Sequence, residues 1–322
     1  TGAERLAANI TAMSGGRLTI KVYSAGELVP ALECLGAVAN GTAQMGHDAA
    51  YYHAGKSEGC AFFTAFPFGF TMGEMAAWIK HGNGQKLWDE LYAPFGIRGF
   101  QAGSTGTQMF GWFRREIRSL ADLDGLKFRT PGNQGRVLQK LGVTPVSLPG
   151  GEIFPALQSG AIDGAEWVGP YNDLALGFYQ VCRYYYSPGY HEPGPALQLT
   201  VNEQAWRSLP PDLQAIVRAA ADAATTDMYA EYTAQSGPAL RTLVQKHGVI
   251  VRSLPEDVLI ACGEKSNEVL NEIHAGDTSP NRIVRRIIED FLAFRKEVIP
   301  WTRVGEQAFV NARRLPFEFR LK

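Results

Sequence analysis

The chain has 322 residues, a formal net charge of −1, 45% hydrophobic residues and 20% charged residues. A chain of this length has room for a large core and suggests two domains. The near-neutral charge gives no reason to expect nucleic acid or an anionic membrane surface as a partner. No apolar run approaches the roughly 18 residues of a membrane-spanning helix. The four cysteines form no C-x-x-C pair, so we expect buried free thiols rather than a zinc ribbon.

Hydrophobic periodicity predicts alternating strands and helices up to residue 202 and a helical region after it. The chain begins in a helical pattern at Gly2, so we expect a first strand to be missing from this sequence. Outside residues 127–170, the predicted helices cover 2–13, 31–39, 71–91, 171–180, 211–235, 255–275 and 280–298, and the predicted strands cover 17–23, 42–50, 97–101, 107–113, 181–187 and 196–202.

Residues 127–170 predict two consecutive strand–helix–strand units. Strands are expected over 127–130, 143–148 and 161–167, and the helices between them start at Asn133, as an N-cap, and at Gly150. Parallel strands are joined by such crossovers. Arg129 and Glu166 then lie at the carboxyl ends of neighbouring strands, which is where open α/β sheets bind ligands.

The residue types near these strand ends suit a bound carboxylate and a cation. The guanidinium of Arg129 binds carboxylates bidentately, although a surface salt bridge is an alternative for it. Glu166 ends an apolar strand, where a carboxylate is costly to bury unless an arginine or a cation compensates it. Glu192, in the proline-rich loop 188–195, and the amide of Gln108 are further oxygen ligands. Oxygen ligands favour Na⁺, Ca²⁺ or Mg²⁺ over zinc.

Three separated segments of the chain resemble one protein family. In chain order they are TGTQMFGWFRREI, FRTPGNQGRVLQKLGVTPVSLPGGEIFPALQSGAIDGAEWVGPYND and YYSPGYHEPGP. The second segment is similar to the signature region of the solute-binding proteins of TRAP transporters, the DctP family. Its end and the other two segments resemble the subgroup that binds 2-oxo and 2-hydroxy monocarboxylates, such as pyruvate or lactate, together with a metal ion. Ser104 departs from this subgroup, in which asparagine is expected.

The resemblance implies a bilobed α/β fold, type II-like in topology, with a long helix joining the two lobes and a helical C-terminal region. Residues 1–105 would form lobe I, residues 106–202 lobe II, and residues 203–322 the lobe-spanning helices and the remainder of both lobes. Such proteins are periplasmic, have no catalytic activity and deliver their ligand to membrane subunits. The subgroup also forms homodimers by exchange of a C-terminal helix. The apolar stripe from Ile283 to Phe294 suits either this exchange or a plain intrachain helix.

The resemblance also assigns the residues of the site. Arg129 matches the arginine that pairs with the ligand carboxylate. The metal ion, Na⁺ or Ca²⁺, would be held by Gln108, Glu166, Glu192 and the main-chain oxygen of Trp167. Gln108 and Trp167 are also expected to contact the ligand, and the other pocket residues would be Tyr51, Tyr52, Phe113 and Asn172.

Two alternatives stay open from the sequence. Another carboxylate, such as a dicarboxylate or an ectoine-like compound, would need a second basic residue, and the arginines of the signature region are Arg129 and Arg136. A metal-dependent enzyme of carboxylate metabolism would need a general base, for which His191 is the one plausible residue. The patterns H-E-x-x-H, G-x-x-x-x-G-K-[ST] and G-x-G-x-x-G are absent.

Overall fold

The computed structural model describes residues 1–276 and 281–317, which form two β-sheets with helices packed against them. The strands are β1 (Met45–Asp48), β2 (Ile97–Ser104), β3 (Gly111–Phe113), β4 (Lys127–Arg129), β5 (Thr144–Val146), β6 (Gly164–Ala165), β7 (Tyr184–Ser187), β8 (Ala196–Asn202) and β9 (Ile250–Ser253). The α-helices are α1 (Gly2–Met13), α2 (Cys34–Ala39), α3 (Met72–His81), α4 (Gly84–Tyr92), α5 (Gly132–Gln139), α6 (Gly150–Ser159), α7 (Pro170–Leu176), α8 (Glu203–Ser208), α9 (Pro211–His247), α10 (Glu256–Ala275), α11 (Asn281–Thr302) and α12 (Ala308–Ala312).

The first sheet has the strand order β1-β8-β2, with β8 antiparallel to both neighbours. Residues 106–202 were predicted to form lobe II, but β8 lies within that range and belongs to the first sheet. The chain returns there because Leu199 and Val201 of β8 complete an apolar core with Leu6 and Ile10 of α1. The position of β8 therefore follows from the burial of these side chains and not from its place in the order of the chain.

The second sheet has the order β5-β4-β6-β3-β7-β9. β4 runs parallel to β5 and β6, so the two predicted strand–helix–strand units are confirmed. Arg129, the last residue of β4, pairs with Ala165 at the end of β6. Glu166 therefore follows directly beside Arg129, at the carboxyl edge of the parallel strands.

The long helix α9 has 37 residues, which corresponds to roughly 55 Å at the α-helical rise. It begins with Pro211 in the first turn, where a missing N–H costs nothing, and ends at Gly248 with a left-handed φ of 67°. It packs against β2 of the first sheet and against α7 beside the second sheet. The predicted bilobed α/β fold with a connecting long helix is confirmed, although the helix is longer than the predicted 211–235.

Three local predictions were wrong. Residues 17–23 form no strand, because Leu18 and Ile20 pack as loop side chains on the first-sheet core without a partner strand. The predicted helix over 71–91 is two helices, since the chain turns at Gly82, where a Cβ would lie 2.7 Å from the Trp78 carbonyl oxygen. Asn133 is not an N-cap, because α5 already starts at Gly132 and Pro131 occupies the cap position.

The C-terminal helix α11 packs against its own chain. Ile287, Ile288 and Phe291 are buried, and the Phe291 ring contacts those of Phe62 and Phe70 in the aromatic segment after β1. The predicted start of this helix at Pro280 lies outside the described residues. All four cysteines are free thiols, as predicted, and three of them are buried. Among the described residues, no helix is both long and apolar enough to span a membrane.

Candidate functional site

Backbone hydrogen bonds bring three distant segments of the chain to one place. The Gln108 amide N–H donates to the Glu192 carbonyl at 3.1 Å, and the Gly189 N–H donates to the Gln108 carbonyl at 3.0 Å. The Met109 N–H donates to the Val168 carbonyl at 2.9 Å. The segments before β3, after β6 and after β7 therefore meet at the carboxyl edge of β4 and β6, which is the predicted ligand position.

Arg129 is the buried centre of this site, with 1% of its side chain exposed. Its Nη1 donates to Glu166 Oε1 at 2.6 Å, and its Nε donates to the Leu148 carbonyl at 3.0 Å. The guanidinium lies over the Trp167 ring, 5.1 Å from its centroid. The predicted partnership of Arg129 and Glu166 is thus present in the structure, and these contacts fix the direction of the guanidinium.

Two buried carboxylates face this single guanidinium. Glu166 is 0% exposed and Glu192 is 4% exposed. Glu192 accepts a hydrogen bond from Gln108 Nε2 at 2.7 Å. Burial, with the nearby charge of Glu166, raises the pKa of Glu192 well above its ordinary value, against the opposing effects of Arg129 and a hydrogen bond from Tyr51. A bound cation would relieve this cost, because it stabilises the charged form of Glu192 beside Glu166.

Several polar atoms of the site are buried without a hydrogen-bond partner within the described ranges. They are Gln108 Oε1, Arg129 Nη2, Glu166 Oε2 and both ring nitrogens of His191. Buried polar atoms are nearly always hydrogen-bonded in folded proteins, and an unmade bond costs about 1–3 kcal/mol. Because these unpaired atoms are concentrated in one place, they indicate a site that is completed by a ligand.

His191 is the residue that the predicted site set lacked. Its Nε2 lies 3.5 Å from Glu166 Oε2, and one ligand atom each of Glu166, His191 and Glu192 lie within 4.8 Å of one another. The Phe110 ring stands edge-on to the imidazole, with 6.2 Å between the centroids. The position of His191 next to Glu192 in a rigid loop was a signal in the sequence. An isolated loop histidine, however, has no sequence pattern that shows where its ring points.

Tyr51 and Tyr52 lie in the short 3-10 helix after β1 and border the site from the first sheet. Their rings make an edge contact, with centroids 4.7 Å apart. Burial raises the pKa of both hydroxyls, and the charge of Arg129 lowers that of Tyr52. The start of α5 packs on Tyr51 at Gly132, which has a φ of +64° and would place a Cβ 3.3 Å from the Tyr51 Cβ. Both tyrosines are thus near the charged residues, as predicted.

Two predicted pocket residues lie elsewhere. Phe113 is a core residue whose ring stacks on Phe128 and stands edge-on to Tyr186, because its position on β3 points it towards the apolar face of the sheet. Asn172 donates from its amide to the Tyr232 hydroxyl at 2.6 Å, so it joins α7 to α9. The structure therefore brings together Arg129, Gln108, Glu166, Trp167, Glu192, Tyr51 and Tyr52, whereas Phe113 and Asn172 have the other contacts described here.

Comparisons with known proteins agree with this fold. The family described as bacterial extracellular solute-binding protein, family 7 (DctP), matches residues 1–277. A monocarboxylate 2-oxoacid-binding periplasmic protein of Nostoc sp. is 42% identical over 310 residues, which are 96% of this chain and 84% of that relative.

Two solved structures are similar over nearly their whole length. A TRAP periplasmic solute-binding protein from Pseudoalteromonas atlantica, with bound sodium and pyruvate, has a TM-score of 0.92 at 40% identity, covering 98% of this chain and 94% of that one. A TRAP transporter solute-binding protein from Bordetella bronchiseptica, a mixed-occupancy dimer with calcium and picolinate in one active site, has a TM-score of 0.94 at 37% identity, covering 97% and 91%. This chain therefore belongs to the DctP family, the solute-binding proteins of TRAP transporters.

Proposed function

We propose that this chain binds a small 2-oxo or 2-hydroxy monocarboxylate, such as pyruvate or lactate, together with a cation. The observation that carries the proposal is Arg129 Nη2, which is buried beside two buried carboxylates and close to Tyr52, and which has no hydrogen bond of normal geometry within the described residues. Because the other guanidinium nitrogens are held by Glu166 and by the Leu148 carbonyl, the free nitrogen has a fixed direction. A ligand carboxylate accepts a hydrogen bond from it. The similar protein from Pseudoalteromonas atlantica, with bound pyruvate, supports the ligand class.

The donor atoms and the charge of the site fit a hard cation. Glu166 Oε2 and Gln108 Oε1 are buried oxygens that have no hydrogen-bond partner among the described residues, and the Glu192 carboxylate lies beside them. Together with the main-chain oxygen of Trp167, these groups form the oxygen-rich ligand set that Na⁺ and Ca²⁺ prefer. A cation also compensates the negative charge that two carboxylates and a ligand carboxylate leave beside one guanidinium.

The dicarboxylate alternative is disfavoured by the state of Arg136. This side chain is about one-third exposed and already bonded to Glu58 at 2.6 Å and to Glu272 at 3.2 Å. It is therefore not a free cationic group for a second ligand carboxylate. A ligand with one carboxylate matches the single buried arginine of the site.

We assign the chain a carrier function without turnover rather than a lyase function. Residues 55–59 match the G-x-S-x-G pattern, but Ser57 precedes a 3-10 helix (Glu58–Phe63) instead of sitting on the strand-to-helix turn that exposes a serine nucleophile. His191 is the remaining candidate base. Its imidazole lies against Glu166 and the Phe110 ring, in a position that also suits a hydrogen bond to a bound ligand.

The proposed ligand position lies between two lobes. Lobe I would contain the first sheet with α1, including β8, and lobe II the second sheet with α5, α6 and α7. Tyr51 and Tyr52 reach the site from lobe I, and the charged residues reach it from lobe II. In the periplasm, closure of the lobes on the carboxylate would present the loaded protein to the membrane subunits of a TRAP transporter.

A homodimer through the C-terminal segment is part of this proposal. Trp301 is 71% exposed, Val304 is 72% exposed and Phe309 is 61% exposed, so the end of α11 and α12 present apolar side chains to solvent. The dimer described for the Bordetella bronchiseptica protein supports a second copy of this chain as the partner.

Light scattering of the intact protein should give a dimer mass, and Trp301→Glu/Val304→Glu should give a monomer. A wild-type monomer at tens of micromolar would reject this part of the proposal.

Isothermal titration calorimetry on cation-free protein tests the main proposal. Pyruvate and lactate should bind stoichiometrically, more tightly with Ca²⁺ or Na⁺ than without, and malonate should bind more weakly. Incubation with Ca²⁺ and pyruvate should leave the pyruvate unchanged by NMR, whereas product formation would indicate an enzyme. Arg136→Ala is the matched control, because this arginine is near Arg129 in sequence but outside the site. Absence of heat with every 2-oxo and 2-hydroxy acid would reject the proposed ligand class.

A further inference from the structure

We propose that Asp173 is a positioning residue that aims the main-chain carbonyl of Trp167 at the bound cation. This inference rests on the proposed function, in which that carbonyl oxygen is one of the cation ligands. Asp173 lies in α7, six residues after Trp167, and is buried. Its carboxylate holds the loop that follows Glu166 and Trp167.

Both carboxylate oxygens of Asp173 are engaged from different directions. Oδ1 accepts from the backbone N–H groups of Val168 at 3.2 Å and Gly169 at 3.1 Å. Oδ2 accepts from Trp112 Nε1 at 2.9 Å and from the Tyr185 hydroxyl at 2.7 Å. Trp112 and Tyr185 belong to neighbouring strands of the second sheet, and their rings stack with centroids 4.0 Å apart. Asp173 therefore fastens the loop to a rigid part of the sheet.

The hydrogen bond to Val168 determines where the preceding carbonyl points. The Val168 N–H and the Trp167 C=O belong to one trans peptide group, in which these bonds point in opposite directions. Because the N–H is directed at Asp173, the Trp167 carbonyl is directed away from Asp173. Among residues 1–276 and 281–317, no backbone N–H donates to this carbonyl oxygen, so it is available to a cation.

The rest of the loop cannot easily compensate for a lost Asp173. The Val168 carbonyl accepts from the Met109 N–H, which follows Gln108, so the loop has a second tether on the site side. The neighbouring residues stay bonded without the carboxylate, through Arg129 to the Glu166 carbonyl and through the Asp173 N–H to the Gly169 carbonyl. The peptide between Trp167 and Val168, however, loses the hydrogen bond that sets its orientation. Groups that orient metal ligands in this indirect way typically change cation affinity by about 10–100-fold when they are removed.

The test uses Tb³⁺ as the probe, with excess pyruvate, because Tb³⁺ and Ca²⁺ are both hard cations that take oxygen ligands. Luminescence lifetimes in H₂O and D₂O count the waters bound to Tb³⁺, and titration gives its affinity. Asp173→Ala should weaken binding about 10–100-fold and add about one coordinated water, which replaces the Trp167 carbonyl. Asp173→Asn should keep the wild-type water count, because its carboxamide oxygen can still accept from Val168 and Gly169. Its NH₂ group can donate to the Tyr185 hydroxyl, and the bond that is lost is the one from Trp112 Nε1, on the side away from the loop.

Tyr185→Phe is the matched control, since it removes one hydrogen bond from the same carboxylate but leaves the loop bonded. It should change neither the water count nor the affinity. If Asp173→Ala does not fold, Tyr185→Phe/Asp173→Ala is compared with Tyr185→Phe, because fewer donors are then left unpaired.

Two results would overturn the inference. One is an unchanged water count in Asp173→Ala. The other is an equal loss of affinity in Asp173→Asn and Asp173→Ala, which would assign the effect to charge. A wild-type protein that binds no Tb³⁺ would instead contradict the cation in the proposed function.

Discussion

Two carboxylate networks, one in each sheet, differ in how many of their polar atoms have partners. In the first sheet, Asp48 accepts from Gln198 Nε2 at 2.6 Å and meets His53 Nε2 at 2.6 Å, and Gln198 Oε1 accepts from the Tyr92 hydroxyl at 2.7 Å. In the site at the second sheet, polar atoms of Gln108, Arg129, Glu166 and His191 have no hydrogen-bond partner in the part of the chain that the structure describes.

The difference separates a structural network from a binding network built of the same residue types. A network whose hydrogen bonds are complete stabilises the fold, and removing one member costs stability. An incomplete network is already costly in the ligand-free protein, and its missing bonds are made when the ligand and the cation arrive. Substitutions in the two networks should therefore change different measured quantities.

Arg129→Ala should have the largest effect on binding. Removing one partner of a buried charge pair costs about 2–5 kcal/mol, so we expect the affinity for pyruvate with Ca²⁺ to fall by roughly 100-fold or more. The ligand-free protein should also lose about 3–5 kcal/mol of unfolding free energy, because Glu166 is left without a compensating charge. Calorimetry and urea unfolding measure the two effects.

Two further variants separate these contributions. Arg129→Lys keeps the charge beside Glu166 but loses the planar fork, so it should restore stability more than affinity. Arg136→Ala should leave affinity unchanged, because its partners Glu58 and Glu272 lie outside the site. Wild-type affinity in Arg129→Ala would show that the carboxylate binds elsewhere.

The Asp173 carboxylate accepts four hydrogen bonds but, among the described residues, has no cationic partner. Its contribution to the free energy of unfolding should therefore depend on pH. Burial raises the pKa of Asp173 to about 6, from an ordinary value of 3.8, although hydrogen bonds from Trp112 and Tyr185 lower it. The folded state then holds a proton that the unfolded state releases, so this group's stability contribution is lost as the pH rises from about 4 to above 6. A shift of about two pKa units corresponds to roughly 3 kcal/mol.

The measurement is urea unfolding of wild type and Asp173→Asn between pH 3.5 and 8. Wild type should lose stability relative to the variant across this window, with little further change above pH 7. Tyr185→Phe keeps the carboxylate but removes a hydrogen bond that lowers its pKa, so its loss of stability should extend to higher pH than in wild type. If the unfolding free energy of wild type minus that of Asp173→Asn stays constant or increases with pH, the carboxylate has no raised pKa.

The sequence predicted the parts of the site that depend on local rules. Arg129 and Glu166 follow from two consecutive crossover units, since parallel strands place their carboxyl ends together. Gln108 and Glu192 are 84 residues apart, and no local pattern shows that their side chains meet. Their residue types suggested oxygen ligands, and the family resemblance assigned them to one metal site.

The predictions that failed depend on contacts between distant elements. Phe113 was misplaced because the sequence does not show which face of β3 lies towards the site. The return of β8 to the first sheet was missed because its partners lie about 100 and 150 residues earlier in the chain, as in the pairing of Leu199 with His47. These features are determined by the packing of cores, which a one-dimensional pattern does not contain.

Glu192→Gln should separate binding from stability most directly. The carboxamide oxygen can keep the hydrogen bond from Gln108, while the repulsion from the Glu166 carboxylate is removed. We therefore expect the ligand-free protein to be at least as stable as wild type. Ca²⁺ affinity should fall at least about tenfold, because the number of charged ligands sets the strength of such sites. Calorimetry with Ca²⁺ and thermal unfolding without it measure both, and a large loss of apo stability would contradict an incomplete network.

Tyr92→Phe is the converse change, and its effect should be the smallest of these. It removes one hydroxyl from the complete network and leaves Gln198 Oε1 buried without a donor, without opening a cavity. The unfolding free energy should fall by about 1–2 kcal/mol, since the lost bond is not replaced by water. Pyruvate affinity should stay within the error of the titration, because Tyr92 packs in α4 behind the first sheet. If the free energy of pyruvate binding fell as much as the free energy of unfolding, the two networks would be coupled. The presence or absence of hydrogen-bond partners would then not distinguish structural from binding carboxylates in this fold.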